Sequence, residues 1–166
     1  MVETNDRRLP VGIQSFEKIR KEGYLYVDKT DIIWQLANRN KTYHYLSRPR
    51  RFGKSVLVDT LEAYFLGKKE LFEGLKIMQL ETEWVKRPVI RLDMSRAGAE
   101  PETLRSYLNN IFRQYEKVYS LVPDPTDSLA DRFDAIIQTA YEQTGQQVAI
   151  LIDEYDSPLQ HSWKTP

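Results

Sequence analysis

"QVAILIDEYDSPL", residues 147–159, runs through five consecutive apolar positions, Val148 to Ile152, straight into Asp153 and Glu154. A continuous apolar run suits a strand buried on both faces, as in a parallel sheet, rather than the alternation of a half-solvated strand. Its two carboxylates fall at the carboxyl end, the edge at which open α/β sheets bind ligands. Consecutive strand residues point to opposite faces, so Asp153 and Glu154 are expected to divide two roles. Asp153 would hold Mg2+, directly or through water, and Glu154 would orient and polarise an attacking water as general base. Read by itself, the stretch has a plainer alternative: two charges capping a strand at a solvent edge.

The rest of the chain alternates strand and helix signals. Leu129, Phe133, Ile136, Ile137 and Ala140 form a helical stripe that Gly145 closes, after a two-proline loop at 121–128. Leu104, Tyr107, Leu108, Ile111, Phe112, Tyr115, Val118 and Tyr119 step by three and four, and this aromatic stripe reads as core packing. "RPVIRLDMS" (87–95) reads as a core strand, with Asp93 capping a turn rather than binding metal. In 41–67, Thr42 to Leu46 are β-rich. A helix follows Gly53 through Leu57, Val58, Leu61, Tyr64 and Phe65, and stops at Gly67. In 23–38, Tyr24 to Val27 read as a short strand before a helix with Thr30 as N-cap, Asp31 in its first turn and Ile32, Ile33 and Leu36 on its apolar face. Such alternation predicts an α/β fold: a P-loop NTPase-like parallel sheet sandwiched by helices.

"SRPRRFGKS" (47–55) lies at the carboxyl end of one of those expected strands. A phosphate loop has the pattern G-x-x-x-x-G-K-[ST] between strand and helix. The aligned residues are Arg48, Pro49, Arg50, Arg51, Phe52, Gly53, Lys54 and Ser55, so three of four defining positions match. Gly53 lets the backbone approach a phosphate, Lys54 would place its ammonium on the β and γ phosphates, and Ser55 would offer a hydroxyl to Mg2+. The helix start adds free N–H groups and a positive dipole end. Arg48 stands where the first glycine belongs, and Pro49 biases Arg48 towards an extended conformation from which the turn could begin. An exposed basic stretch, or a nucleic-acid contact through Arg48, Arg50 and Arg51 with Tyr45 and Phe52 as stacking groups, competes with this reading. The order of the two motifs, with strand and helices between them, favours nucleotide binding. Asp-Glu, with Asp156 followed by Ser157 rather than Gly, points to an ATPase rather than a G protein.

Composition bounds the alternatives. The 166 residues are a one-domain length, and 24 basic against 24 acidic residues give no global charge to attract nucleic acid or an anionic membrane. There is no cysteine, which excludes disulfides, Cys zinc sites and Cys nucleophiles. No apolar run approaches the ~18 residues that cross a bilayer, and Met1 to Asp6 lack the apolar core of a signal peptide, so the expected location is the cytoplasm. His44 and His161 are isolated and read as structural.

The chain resembles the predicted AAA-ATPase-like proteins of bacteria, through "LPVGIQSFEKIRKEGYLYVDKT" (9–30), "YLSRPRRFGKSVLVDTLEAYFLGKKELFEGL" (45–75), "PVIRLDMS" (88–95) and "LIDEYDSPL" (151–159). In that family arginine is the ordinary residue at position 48. The resemblance implies ATP and Mg2+ as ligands, ATPase chemistry at Lys54 and Glu154, and a domain over 10–166 after a flexible 1–9. It also implies that a sensor strand, an arginine finger and a helical lid follow, so that 10–166 would be the N-terminal part of the domain, its sheet incomplete at the C-terminus and its hydrolysis inefficient alone. Relatives often carry a C-terminal PD-(D/E)xK nuclease-like domain, which nothing in this chain matches. By analogy with related ATPases, Tyr26 to Thr30 are candidates for packing on adenine, with an ordinary strand-to-helix junction as the alternative. Three functions remain open: a Mg2+-dependent ATPase module, a nucleic-acid-binding module, and a slow nucleotide-dependent switch or scaffold. Oligomeric state and base preference are not legible.

Overall fold

The computed structural model describes residues 8–39, 43–47, 52–98 and 100–157. The chain divides into two compact units, with the boundary between Lys86 and Arg87.

The first unit contains helices α1 (Phe16–Lys21), α2 (Thr30–Asn38) and α3 (Lys54–Phe65), followed by 3-10 turns at Lys69–Phe72 and Lys76–Gln79. Its core gathers Phe16, Ile33, Ala63, Leu71, Phe72, Leu75 and Ile77, with Leu57, Leu61 and Tyr64 of α3 packed against it. The helical spacing of those α3 residues is what turns one face inward. Gly67, at φ +68°, ends α3: its N–H reaches Tyr64 O at 2.9 Å and the Lys68 N–H returns to Ala63 O at 3.0 Å.

Polar side chains fix the 3-10 turns onto this core. Asp28 accepts the Thr30 N–H at 2.9 Å and hydroxyl at 2.7 Å on one oxygen, and the Lys76 N–H at 2.8 Å on the other. The buried Thr30 hydroxyl in turn accepts the Ile77 N–H at 3.1 Å. Arg20 donates to Leu71 O at 2.8 Å and Glu73 O at 2.6 Å, closing the other 3-10 turn. Thr30 is therefore the first residue of α2 rather than its cap; Lys29 holds the cap position without a side-chain bond.

The two strands expected in this unit do not form. Tyr24 to Val27 join no sheet; the Leu25 N–H donates to Arg8 O at 2.9 Å and the Tyr24 N–H to Ile19 O at 3.0 Å. Residues 43–47 are likewise not a strand, and Tyr43 and Tyr45 are exposed. β-propensity describes a fit to a pleated, half-buried surface. Among the described residues neither segment has a ladder to join.

The second unit holds the sheet. Strands β1 (Val89–Asp93) and β2 (Ala149–Asp153) pair in parallel, in register from Val89↔Ala149 to Asp93↔Asp153. Between them run a 3-10 turn (Met94–Arg96), α4 (Pro101–Val118) and α5 (Leu129–Thr144). The helices cover the Ile90 and Leu92 face of β1, with Phe112 and Ile136 at the centre and the Phe112 and Phe133 rings stacked at 5.3 Å. Ser128 and Asp131 form a reciprocal capping box at the start of α5, and Gly145, at φ +65°, ends it. Burial of β2 on both faces is only half realised. Leu151 is buried, whereas Ile150 and Ile152 remain 40% and 49% exposed. They share a face with Ile90 and Leu92 but lie one strand further out, where the cover of α4 and α5 thins.

Arg132 of α5 meets Glu116 of α4 at 2.7 Å and Asn109 at 2.5 Å, with its guanidinium 5.9 Å from the Phe112 ring centroid. Both charged side chains are almost fully enclosed. Removing one partner strands the other's charge in the interface. Glu116→Ala is therefore expected to lower unfolding free energy by about 3–5 kcal/mol in urea melts, and Glu116→Leu with Arg132→Met by much less. In the first unit, hydrogen bonds from Lys21 and then Lys68 hold the Glu17 carboxyl at about 2 instead of 4.5. A depressed acid stabilises the fold above its ordinary value and loses that contribution as pH falls. The stability gap between the parent and Glu17→Gln should thus narrow between pH 4.5 and about 2. A gap independent of pH would assign no role to the pairing.

Candidate functional site

The loop half of the expected site belongs to the first unit. Gly53 is the N-cap of α3, at φ +73° and ψ 23°, in the left-handed region, and its carbonyl accepts the Leu57 N–H at 3.0 Å. A Cβ on Gly53 would meet nothing within 4 Å, so the backbone angle, not crowding, is what calls for glycine. Lys54 and Ser55 are the first two residues of the helix and are half-buried, while Phe52 is exposed.

The start of α3 differs from the other helix starts. Ser15 and Ser128 cap α1 and α5 with their hydroxyls, and Asp31 and Glu102 stand in the first turns of α2 and α4. Among the described helices α3 alone has neither a capping side chain nor an acid in its first turn. Its first N–H groups and positive dipole end are open to water or an anion. Arg48, Pro49, Arg50 and Arg51 lie outside the described residues, and with them the turn expected at Arg48 and Pro49.

The helix carrying this loop is held from behind. Asp59 accepts the Phe16 N–H at 2.6 Å, fastening the first turn of α1 to the second turn of α3. Thr60, fully buried, donates to Val56 O at 2.7 Å and is hydrogen-bonded to Tyr26, whose hydroxyl pKa is pushed up by burial. Sequence reasoning did not single out Asp59 or Thr60. The one available signal was an Asp-x-Thr pair at 28 and 30, a spacing at which an Asx side chain bonds its own backbone two residues on. Asp28 and Thr30 are thus engaged inside the junction, which is the role the structure gives the Tyr26 to Thr30 segment.

The acid half belongs to the second unit. Asp153 ends β2, is 7% exposed, and accepts the Glu154 N–H at 3.0 Å on one oxygen. Glu154 has left the strand: its φ is +49°, and the Ser157 N–H returns to its carbonyl at 2.8 Å. Strand alternation therefore ends at Asp153 and does not govern Glu154. The chain turns at Glu154, and the turn, not the pleat, sets that side chain's direction. Asp93, register partner of Asp153, accepts the Ser95 N–H at 3.1 Å and hydroxyl at 2.6 Å and caps the 3-10 turn that follows β1. No group of three or more His, Asp or Glu able to hold a metal ion occurs among the described residues. His44 is exposed, and His161 lies outside the described residues. No helix is long and apolar enough to cross a membrane among the described residues.

A family model described as "Predicted AAA-ATPase" matches residues 10–166. A protein of Azotobacter chroococcum mcd 1, "Uncharacterized protein in vnfD 5'region", is 36% identical over 156 residues, covering 92% of this chain and 30% of its own length. The chain thus spans less than a third of that relative. No solved structure matches it.

Gly53→Ala places a side chain in the left-handed region at the helix start. It is expected to destabilise the chain by about 1–2 kcal/mol in urea melts. Unchanged stability would mean that the loop does not hold that angle in solution.

Proposed function

Because the chain belongs to the Predicted AAA-ATPase family, we propose that it binds Mg·ATP through Gly53, Lys54 and Ser55 and supports hydrolysis through Asp153 and Glu154. The observation that carries this reading is the start of α3. A left-handed glycine leads into a helix with no capping side chain and no acid in its first turn, and its first two residues are lysine and serine. That end attracts an anion through its free N–H groups and dipole. Lys54 adds a compact positive charge suited to phosphate oxygens.

The donor set fits Mg2+ held jointly by protein and nucleotide. Mg2+ uses one or two protein ligands, several waters and substrate phosphates rather than an all-protein cage. On this reading Ser55 and Asp153 are the residues that would hold it. Bound there, the ion would neutralise charge on the transferred phosphoryl group. Asp153 is buried at the end of a hydrogen-bonded strand, which fixes its carboxylate. Glu154 would take the proton of the attacking water and orient it for in-line attack. Arg48, Pro49, Arg50, Arg51 and Phe52 complete the loop on this reading, and the arginines supply further positive charge towards the phosphates.

Titration of labelled ATP in the presence of Mg2+ tests the assignment. Lys54→Ala should weaken binding by roughly tenfold or more, and Asp153→Asn should remove most of the Mg2+ dependence. Glu154→Gln should retain binding and lose single-turnover hydrolysis. Equal turnover with Glu154→Gln would favour a nucleotide switch over an ATPase. Binding of single-stranded nucleic acid that falls steeply with salt and ignores Lys54→Ala would favour the arginine-rich nucleic-acid reading.

A further inference from the structure

We propose that Tyr107 and Tyr115 of α4 form a hydroxyl seal along the outer edge of β1, which keeps a second copy of this chain from adding to the sheet there. The two edges of β1 are distinguished by residue parity. Ala149 N–H donates to Pro88 O at 2.9 Å, so the backbone groups of Pro88, Ile90 and Leu92 face β2. Those of Arg91 and Asp93 face the other way, along the edge that β2 does not cover. Two adjacent outward N–H groups of this kind are a template for a further strand.

Both are already occupied by side chains. The Arg91 N–H donates to the Tyr115 hydroxyl oxygen at 2.7 Å, and the Asp93 N–H donates to the Tyr107 hydroxyl oxygen at 2.8 Å. The two tyrosines stand eight positions apart in α4, on the row that also carries Ile111, so one helix face delivers both hydroxyls. The same helix supplies an internal contrast. Phe112 turns into the core, is 4% exposed, stacks on Phe133 and has no hydroxyl to offer a strand. Phenylalanine at 107 or 115 would fill the same apolar volume and leave a strand amide unpaired. The hydroxyls, rather than the rings, therefore carry the edge function. The bonds leave the Ile90 and Leu92 pairing to β2 untouched, so sealing the edge does not weaken the ladder. This inference does not rest on nucleotide binding.

Amide hydrogen exchange on the whole chain, with light scattering over a range of concentrations, tests the seal. In Tyr107→Phe with Tyr115→Phe, exchange at Arg91 and Asp93 should rise roughly tenfold while Ile90 and Leu92 hold their rates, and the chain should associate as concentration rises. Unchanged exchange at Arg91 and Asp93 would overturn the hydrogen bonds as the protecting feature. Faster exchange without association would overturn the sealing role. The single variants separate release from loosening: Tyr115→Phe should free Arg91 alone and Tyr107→Phe should free Asp93 alone. Release of both amides by either variant would mark a general loss of structure and sink the assignment.

Discussion

Parallel pairing of two strands is the constraint from which the second unit follows. Strands running the same way cannot be joined by a tight turn, so the chain must leave the end of β1 and return to the start of β2 by a long crossover. α4 and α5 are that crossover, and their apolar stripes cover the sheet they connect. The same geometry brings both carboxyl ends to one edge. Asp93 and Asp153 become neighbours in register although the whole helical layer separates them in sequence. One of these acids closes a local turn, and the other is left at the head of the chain reversal that carries Glu154.

The first unit is organised by a different principle. It has no ladder among its described residues, and its short helices and 3-10 turns would be marginal alone. What fixes them is a set of side chains that satisfy backbone groups far away in sequence. Asp28 and Thr30 reach the Lys76 and Ile77 amides, Arg20 reaches the Leu71 and Glu73 carbonyls, and Asp59 reaches the Phe16 amide. Each closes a polar group that would otherwise be costly next to the Phe16 and Phe72 core. The start of α3 differs from those of α1 and α2 in having neither a capping side chain nor an acid in its first turn.

The helices were legible in the sequence for a plain reason. Leu57, Leu61 and Tyr64, or Phe112 and Tyr115, repeat at a period that only a helix brings to one side, and Gly67 and Gly145 mark stops that other residues resist. β1 and β2 were legible because apolar runs met turn signals. Tyr24 to Val27 and Tyr43 to Leu46 misled because propensity is local and a ladder is not: whether a β-rich segment becomes a strand depends on a neighbour that its own residues cannot reveal. The tyrosines of α4 were legible in part. Tyr115 packs against the core as its spacing implied, but hydropathy counts the ring and ignores the hydroxyl, and the oxygens of Tyr107 and Tyr115 serve β1. Gly53, Lys54 and Ser55 fell at a helix start as their pattern required, whereas the turn at Glu154 depends on a backbone angle that no side-chain pattern encodes.

That angle at Glu154 has a consequence for what substitutions the position will tolerate. A left-handed backbone favours glycine, and any other residue carries a local penalty of about 1 kcal/mol or more. Most exchanges of Glu154 keep the penalty, asparagine and aspartate ease it, and glycine removes it together with the carboxylate. The most comfortable chain at this turn is therefore one that has given up its acid. The fold alone draws the position towards glycine, and a screen for thermal robustness would drift away from the carboxylate that the proposed hydrolysis uses.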